Sequence, residues 1–192
     1  MRLFWIGFLR LSGWKLKGSF PYELKKLLVI AGPHTSSWDF IIGLAFRSKL
    51  RLQHFKFLGK AELFKGPFGF FFRALGGYPV ERAEHQNMVE QVVKLYHTHE
   101  SFSLVLSPEG TRKKVDRLKT GFYHMAKQAG VPIVMAGFDF GNKEFSISAP
   151  FYTTDNETAD FEHILSFFAP LRGKNPELGL EHLLATNPQN IF

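Results

Sequence analysis

The chain has 192 residues, 45% hydrophobic and 21% charged, with a net charge of +7 at pH 7 and no cysteine. That length and balance fit one domain with a real core, and the missing cysteine excludes disulfides and thiolate metal sites. The charge favours anionic partners, while 22 Phe, 5 Tyr and 3 Trp favour a deep apolar site or a surface that meets lipid.

Residues 1–20 read as an amphipathic membrane-interface segment, and 21–192 as the domain proper. The longest uncharged run near the start, Leu3 to Leu9, is far shorter than the roughly 20 residues that span a bilayer. No small-residue cleavage site follows a clean apolar core. On a helical wheel Arg2, Arg10 and Lys17 fall within about 80°. Leu3, Phe4, Trp5, Phe8, Leu9, Leu11 and Trp14 cover the rest, the pattern of a helix lying in a membrane interface. A helix packed on the core is the competing reading.

"LLVIA" (27–31) predicts a short buried strand, broken by "GPHTSS", and "SWDFIIGLAFRSKL" predicts a helix capped by Ser36 or Ser37. "LQHFKFLGK" (52–60) alternates as a strand, "GPFGFFFRALG" (66–76) is a short apolar helix, and "YPVER" (78–82) a brief strand. Residues 84–99 carry apolar side chains at helical spacing. "SFSLVLS" (101–107) is a strand, "TGFYHMAKQAG" (120–130) a helix, and "VPIVMAGFDF" and "EFSISAPF" are strands. A helix over about 158–168 follows, and the last dozen residues read as loosely held. Strands alternating with helices predict a single α/β domain, a mostly parallel or mixed sheet flanked by helices.

Three segments carry candidate chemistry. In "AGPHTSSWDF", His34 and Asp39 are five apart, about 140° around a continuous helix, so they cannot meet on one. If Pro33 turns the chain and the helix starts near Ser37, the carboxylate reaches back to the imidazole and leaves the other ring nitrogen as a base. Alone, such a pair is more often structural than catalytic. In "LSPEGTR", Gly110 allows close backbone approach, Arg112 offers a planar fork for phosphate, and Glu109 can hold that Arg or a substrate hydroxyl. A charged turn accounts for it equally well. "GGYPVER" puts Arg82 after another short strand, and Lys60 also falls at a strand end, where open α/β sheets bind ligands. Other chemistries find less support. There is no G-x-S-x-G elbow, and His97 and His99 are poorly placed for one metal on a helix. The basic residues are dispersed, with no nucleic-acid motif.

In order, "PHTSSWD", "GGYPVER", "SPEGTR" and "VPIVMAG" resemble the four motifs of the glycerophospholipid acyltransferase family. From about residue 28 to 137 the chain resembles its bacterial 1-acylglycerol-3-phosphate acyltransferases. The resemblance implies His34 as general base and Asp39 as its orienter. It implies Arg82, Glu109, Gly110 and Arg112 as holders of the acceptor's phosphate or glycerol oxygens, with Lys60 and Thr111 beside them. Val131 to Met135 would line the acyl chain, and Met135 stands where members often carry a proline. The implied reaction uses no metal or cofactor. An acyl-CoA or acyl-carrier-protein thioester is co-substrate, and lysophosphatidic acid becomes phosphatidic acid. Another lysolipid, such as an amino-acid-containing one, is the alternative acceptor, and non-catalytic lipid binding the alternative function. An anionic membrane surface would be the partner, at the cytoplasmic face of the cell membrane, with peripheral attachment and no nucleic acid.

Overall fold

A computed structural model describes residues 1–60, 62–67, 69–80, 85–185 and 191–192. Among these residues seven strands form one sheet: β1 (Lys15–Lys17), β2 (Lys26–Gly32), β3 (Lys56–Lys60), β4 (Gly77–Val80), β5 (Phe102–Leu106), β6 (Ile133–Asp139) and β7 (Glu144–Ile147). Their order is β1-β7-β6-β2-β5-β3-β4. Neighbours run parallel except β6 and β7, whose antiparallel pairing makes the sheet mixed, as the closely spaced last two strands suggested. The helices are α1 (Arg2–Leu11), α2 (Trp38–Lys49), α3 (Glu62–Lys65), α4 (Gly69–Ala74), α5 (His85–Thr98), α6 (Gly121–Ala129) and α7 (Glu157–Phe168).

Both faces of the sheet are covered, which is why β2 is a continuous apolar run rather than an alternating one. Leu28 and Ile30 point into a core with Tyr96, Phe122, Phe161 and Phe168 from α5, α6 and α7. Leu27 and Val29 point into the opposite core, with Ile42 and Phe46 of α2 and Leu9 of α1. Side chains alternate across a strand, so one short segment pins helices on both sides.

The first helix is shorter than the expected amphipathic segment. It ends at Leu11, where the Ser12 hydroxyl donates to Phe8 O at 2.6 Å and Gly13 adopts φ +78°. Lys17 therefore lies in β1, paired with β7, not on a helical face. Trp14 is in the core, edge-on to Phe46 and Phe140. Burying a large ring there outweighs continuing the helix. The exposed apolar side chains of α1 are Leu3, Phe4 and Leu11, while Trp5 and Phe8 are half-buried. Among the described residues no helix is long and apolar enough to cross a membrane.

Of the last dozen residues, expected to be loosely held, 186–190 lie outside the described residues, and the others are held more firmly than expected. Leu183 and Ile191 are buried, Leu118 N–H donates to Ile191 O at 2.7 Å, and Phe192 stacks on Phe161. The expected strand over 52–60 begins only at Lys56, after a loop in which Leu52 and Phe55 are buried and Arg51 has φ +60°. His97 and His99 are exposed, as expected, and the described residues hold no cluster suited to a metal ion.

Candidate active site

β2 is the centre of the sheet, flanked by β5 and β6. Its last residue, Gly32, leads through a cis Gly32–Pro33 peptide into the loop that carries His34. α2 then starts at Trp38 with Ser37 as its N-cap residue, so His34 is in the loop and Asp39 in the first helical turn. The expected loop-to-helix junction is present. A carboxylate there is also favoured by the unpaired N–H groups and positive end of the helix.

Asp39 folds back. Its Oδ2 accepts from Thr35 N–H and Ser36 N–H, both at 2.8 Å, and lies 3.1 Å from His34 Nδ1. The Asp39 side chain is 1% exposed and that of His34 30%. With Nδ1 facing a buried carboxylate, the ring's orientation and tautomer are set, and Nε2 is left without a partner among the described residues.

Glu109 does not face outward. It follows β5 and is buried beneath the His34 loop, where Oε2 accepts from His34 N–H at 2.7 Å. Its other oxygen, Oε1, is buried without a partner among the described residues and close enough to Gly32 that a Cβ there would lie 2.8 Å away. Burial pushes the carboxyl up to about 8; the His34 N–H bond pulls it down and the nearby Asp39 charge raises it further.

Gly110 takes φ +67°, the left-handed turn that brings the chain back toward α2. Thr111 is half-buried, and its Oγ1 accepts from Lys113 N–H. Arg112 is exposed and its guanidinium donates to Ser37 Oγ, placing a cation over the start of α2. It does not pair with Glu109, a pairing the sequence left open. Lys60 is the last residue of β3, in register with Val80 of the edge strand β4, with its side chain outside the described set. Arg82 lies outside the described residues. Met135, in buried β6, donates its N–H to Ser148 Oγ.

Two residues that position the loop gave no signal in the sequence. Asn175 Nδ2 donates to Thr35 O at 2.9 Å and Asn175 N–H donates to Thr35 Oγ1 at 3.2 Å. Gly173 packs against the Thr35 side chain, leaving no room for a Cβ, which would meet it at 2.7 Å. The segment after α7 is thus a strap across the His34 loop. An Asn before a proline reads as a turn signal, and nothing local indicates what it touches.

The whole arrangement is an imidazole with one free nitrogen, backed by a carboxylate, beside a helix start and an exposed guanidinium. The fold is similar to that of the 1-acyl-sn-glycerophosphate (LPA) acyltransferase PlsC from Thermotoga maritima, with a TM-score of 0.55 and 17% identity over 86% of this chain and 75% of that one. No curated protein matches the chain. Residues 16–138, which include His34, Asp39 and the Glu109–Arg112 turn, match the Acyltransferase family, and the chain belongs to it.

Proposed function

We propose that the protein transfers a fatty acyl group from a thioester donor to the free hydroxyl of lysophosphatidic acid, forming phosphatidic acid. The observation that carries this reading is the His34 Nδ1–Asp39 contact with Nε2 left free at the end of the central strand. Nε2 takes the proton of the acceptor hydroxyl as its oxygen attacks the thioester carbonyl. The C–S bond of the tetrahedral intermediate then breaks, and the imidazolium returns the proton to the leaving thiolate. Asp39 holds the ring and stabilises its charged form between the two steps.

The intermediate's oxyanion needs donors. Thr35 and Ser36 N–H are already engaged by Asp39, and Trp38 N–H by Ser36 Oγ. Ser37 N–H is the main-chain donor left in the turn, beside the guanidinium of Arg112. Arg112 also suits the acceptor's phosphate, with Arg82, Gly110, Thr111 and Lys60 as further contacts. Glu109 serves by holding the His34 backbone from beneath.

The donor is an acyl-CoA or acyl-carrier-protein thioester, both acidic partners for a chain of net charge +7. No cofactor or metal enters the steps. The exposed Leu3, Phe4 and Leu11 of α1 support peripheral attachment to a membrane, the net charge of +7 favours an anionic surface, and the cytoplasmic face belongs to the same proposal.

A donor-by-acceptor activity matrix with product identification by mass spectrometry tests the reaction. Phosphatidic acid is the expected product, and His34→Ala abolishes it while the protein stays folded. Near-wild-type turnover by that variant rules out the base role. Arg112→Ala raises the acceptor KM; an unchanged KM removes Arg112 from the phosphate site. A product from a different lysolipid, such as an amino-acid-containing one, reassigns the acceptor, and lipid binding without turnover reassigns the activity.

A further inference from the structure

An open groove of about 500 Å³ lies between the first two helices, the β6–β7 turn and the strap after α7. Trp14, Trp38 and Phe140 supply its apolar wall, and Lys143, Arg172 and Lys174 stand on its rim. The cations are exposed, and among the described residues none has a carboxylate within ion-pair distance. Lys174 Nζ lies 6.0 Å from the Phe140 ring centre, and the stem of Arg172 lies against Gly141. The rim is fixed to the rest of the site. Phe140 N–H donates to Arg172 O at 2.8 Å, and Gly173 packs on Thr35, the residue after His34.

The groove and the Arg112 turn come to His34 from two different strands, and both touch the start of α2, the groove at Trp38 and Arg112 at Ser37. Arg112 follows β5 and the groove follows β6, and these two strands flank β2. An apolar wall edged by three unpaired cations matches an amphiphile with a chain and a phosphate. Two cationic places beside one base match two phosphate-bearing substrates. We infer that the groove binds the acyl donor, with the chain on Trp14, Trp38 and Phe140 and the phosphate of a phosphopantetheine thioester on Lys143, Arg172 and Lys174. This assignment rests on the proposed reaction for the identity of its ligand, while the ligand's chemistry comes from the groove itself. The phosphopantetheine arm is common to coenzyme A and acyl carrier protein.

The test reads binding, not turnover. Two of the three tryptophans line the groove, so a Trp5→Phe protein reports on it by fluorescence. The probes are dibromostearoyl thioesters of coenzyme A and of acyl carrier protein, with dibromostearoylglycerol as a phosphate-free control, and bromine quenches a nearby indole. Saturable quenching by at least one thioester is expected, and the tighter one names the natural donor. Lys143→Ala/Arg172→Ala/Lys174→Ala should weaken that thioester about tenfold or more and leave the control unchanged, since phosphate contacts are charge-assisted. Arg112→Ala should leave donor binding within about twofold. Circular dichroism confirms that each variant is folded. The assignment is overturned if neither thioester quenches, if the triple variant binds as the parent does, or if Arg112→Ala causes the larger loss. Intact quenching with no acyl transfer to any acceptor sinks the proposed reaction alone. Intact transfer with no quenching sinks the groove alone.

Discussion

Thr35 and Asn175 lie 140 positions apart in the chain and share two hydrogen bonds, one from the Asn175 side chain and one from its backbone. Thr35 N–H in turn donates to Asp39, so the strap holds the same turn that orients His34. Asn175→Ala removes the side-chain bond and leaves the backbone one. The expected cost is about 1 kcal/mol in denaturant unfolding. The expected kinetic signature is a fall in kcat with the acceptor KM little changed, because the His34 loop is displaced and the Arg112 turn is not on the strap. A melting loss with unaltered kcat would make Asn175 purely structural.

Glu109 gives the fold a pH dependence opposite to that of a salt-bridged carboxylate. Folded, it keeps its proton up to about 8; unfolded, it releases it near 4.5. Between those values the folded chain binds more protons, so this group's contribution to stability falls as pH rises. The slope from one such group is at most about 1.4 kcal/mol per pH unit. Glu109→Gln keeps an acceptor for His34 N–H without a charge to bury. Unfolding of wild type and variant measured across that range should diverge as pH rises, with the variant flatter. Parallel curves would mean that Glu109 ionises normally.

Asp39→Asn tests the orienting carboxylate. The amide oxygen can still accept from Thr35 and Ser36, so the turn should persist, but the charge beside the His34 ring is gone. We expect kcat to drop about 100-fold or more, since general-base catalysis contributes at least that much. The melting temperature should move by only a few degrees. Full activity would leave Asp39 as a turn residue with no part in the proton transfer.

Two glycines should respond in opposite directions to alanine. At Gly32 the added methyl meets Glu109 Oε1 at 2.8 Å and the Phe168 ring at 3.4 Å. Overpacking of this kind costs about 1–3 kcal/mol, and here it also pushes on the carboxyl that holds His34. At Gly7, inside α1, a methyl meets nothing within 4 Å, so alanine should stabilise by about 0.5–1 kcal/mol. Chemical denaturation of the two variants checks both signs.

Membrane attachment should depend on Leu3, Phe4 and Leu11, which are 80%, 68% and 93% exposed. Replacing all three by serine should reduce flotation with anionic vesicles, by about 1–2 kcal/mol of binding energy per side chain that enters the lipid. Trp5 and Phe8, which lie on the same apolar part of the wheel, are half-buried, and changing them should cost folding stability as well. Undiminished flotation of the serine variant would refute attachment through α1.

What was legible in the sequence was local. The apolar run at β2, the helical spacing of α5 and the glycine that closes α6 each report a nearby physical demand, and each element is present. The His34–Asp39 junction was legible because proline and serine mark both sides of the turn. The end of α1 was missed because Trp14 continues the apolar wheel perfectly well; only its contacts with Phe46 and Phe140 explain why it leaves the helix. Glu109 was read as a ligand-facing charge because carboxylates usually face water. Its burial is decided by an N–H 75 positions away. The strap from Asn175 is invisible for the same reason.

The short strand β1 decides what kind of attachment α1 can make. Leu9 and Trp14 are buried on either side of the helix end, and Lys15–Lys17 pairs at once with β7 at the edge of the sheet. The helix is therefore keyed to the body like a keel, not hung from it like an anchor on a chain. If a bilayer takes up Leu3, Phe4 and Leu11 as proposed, it would fix the tilt of the entire sheet, and with it the height of His34 above the lipid.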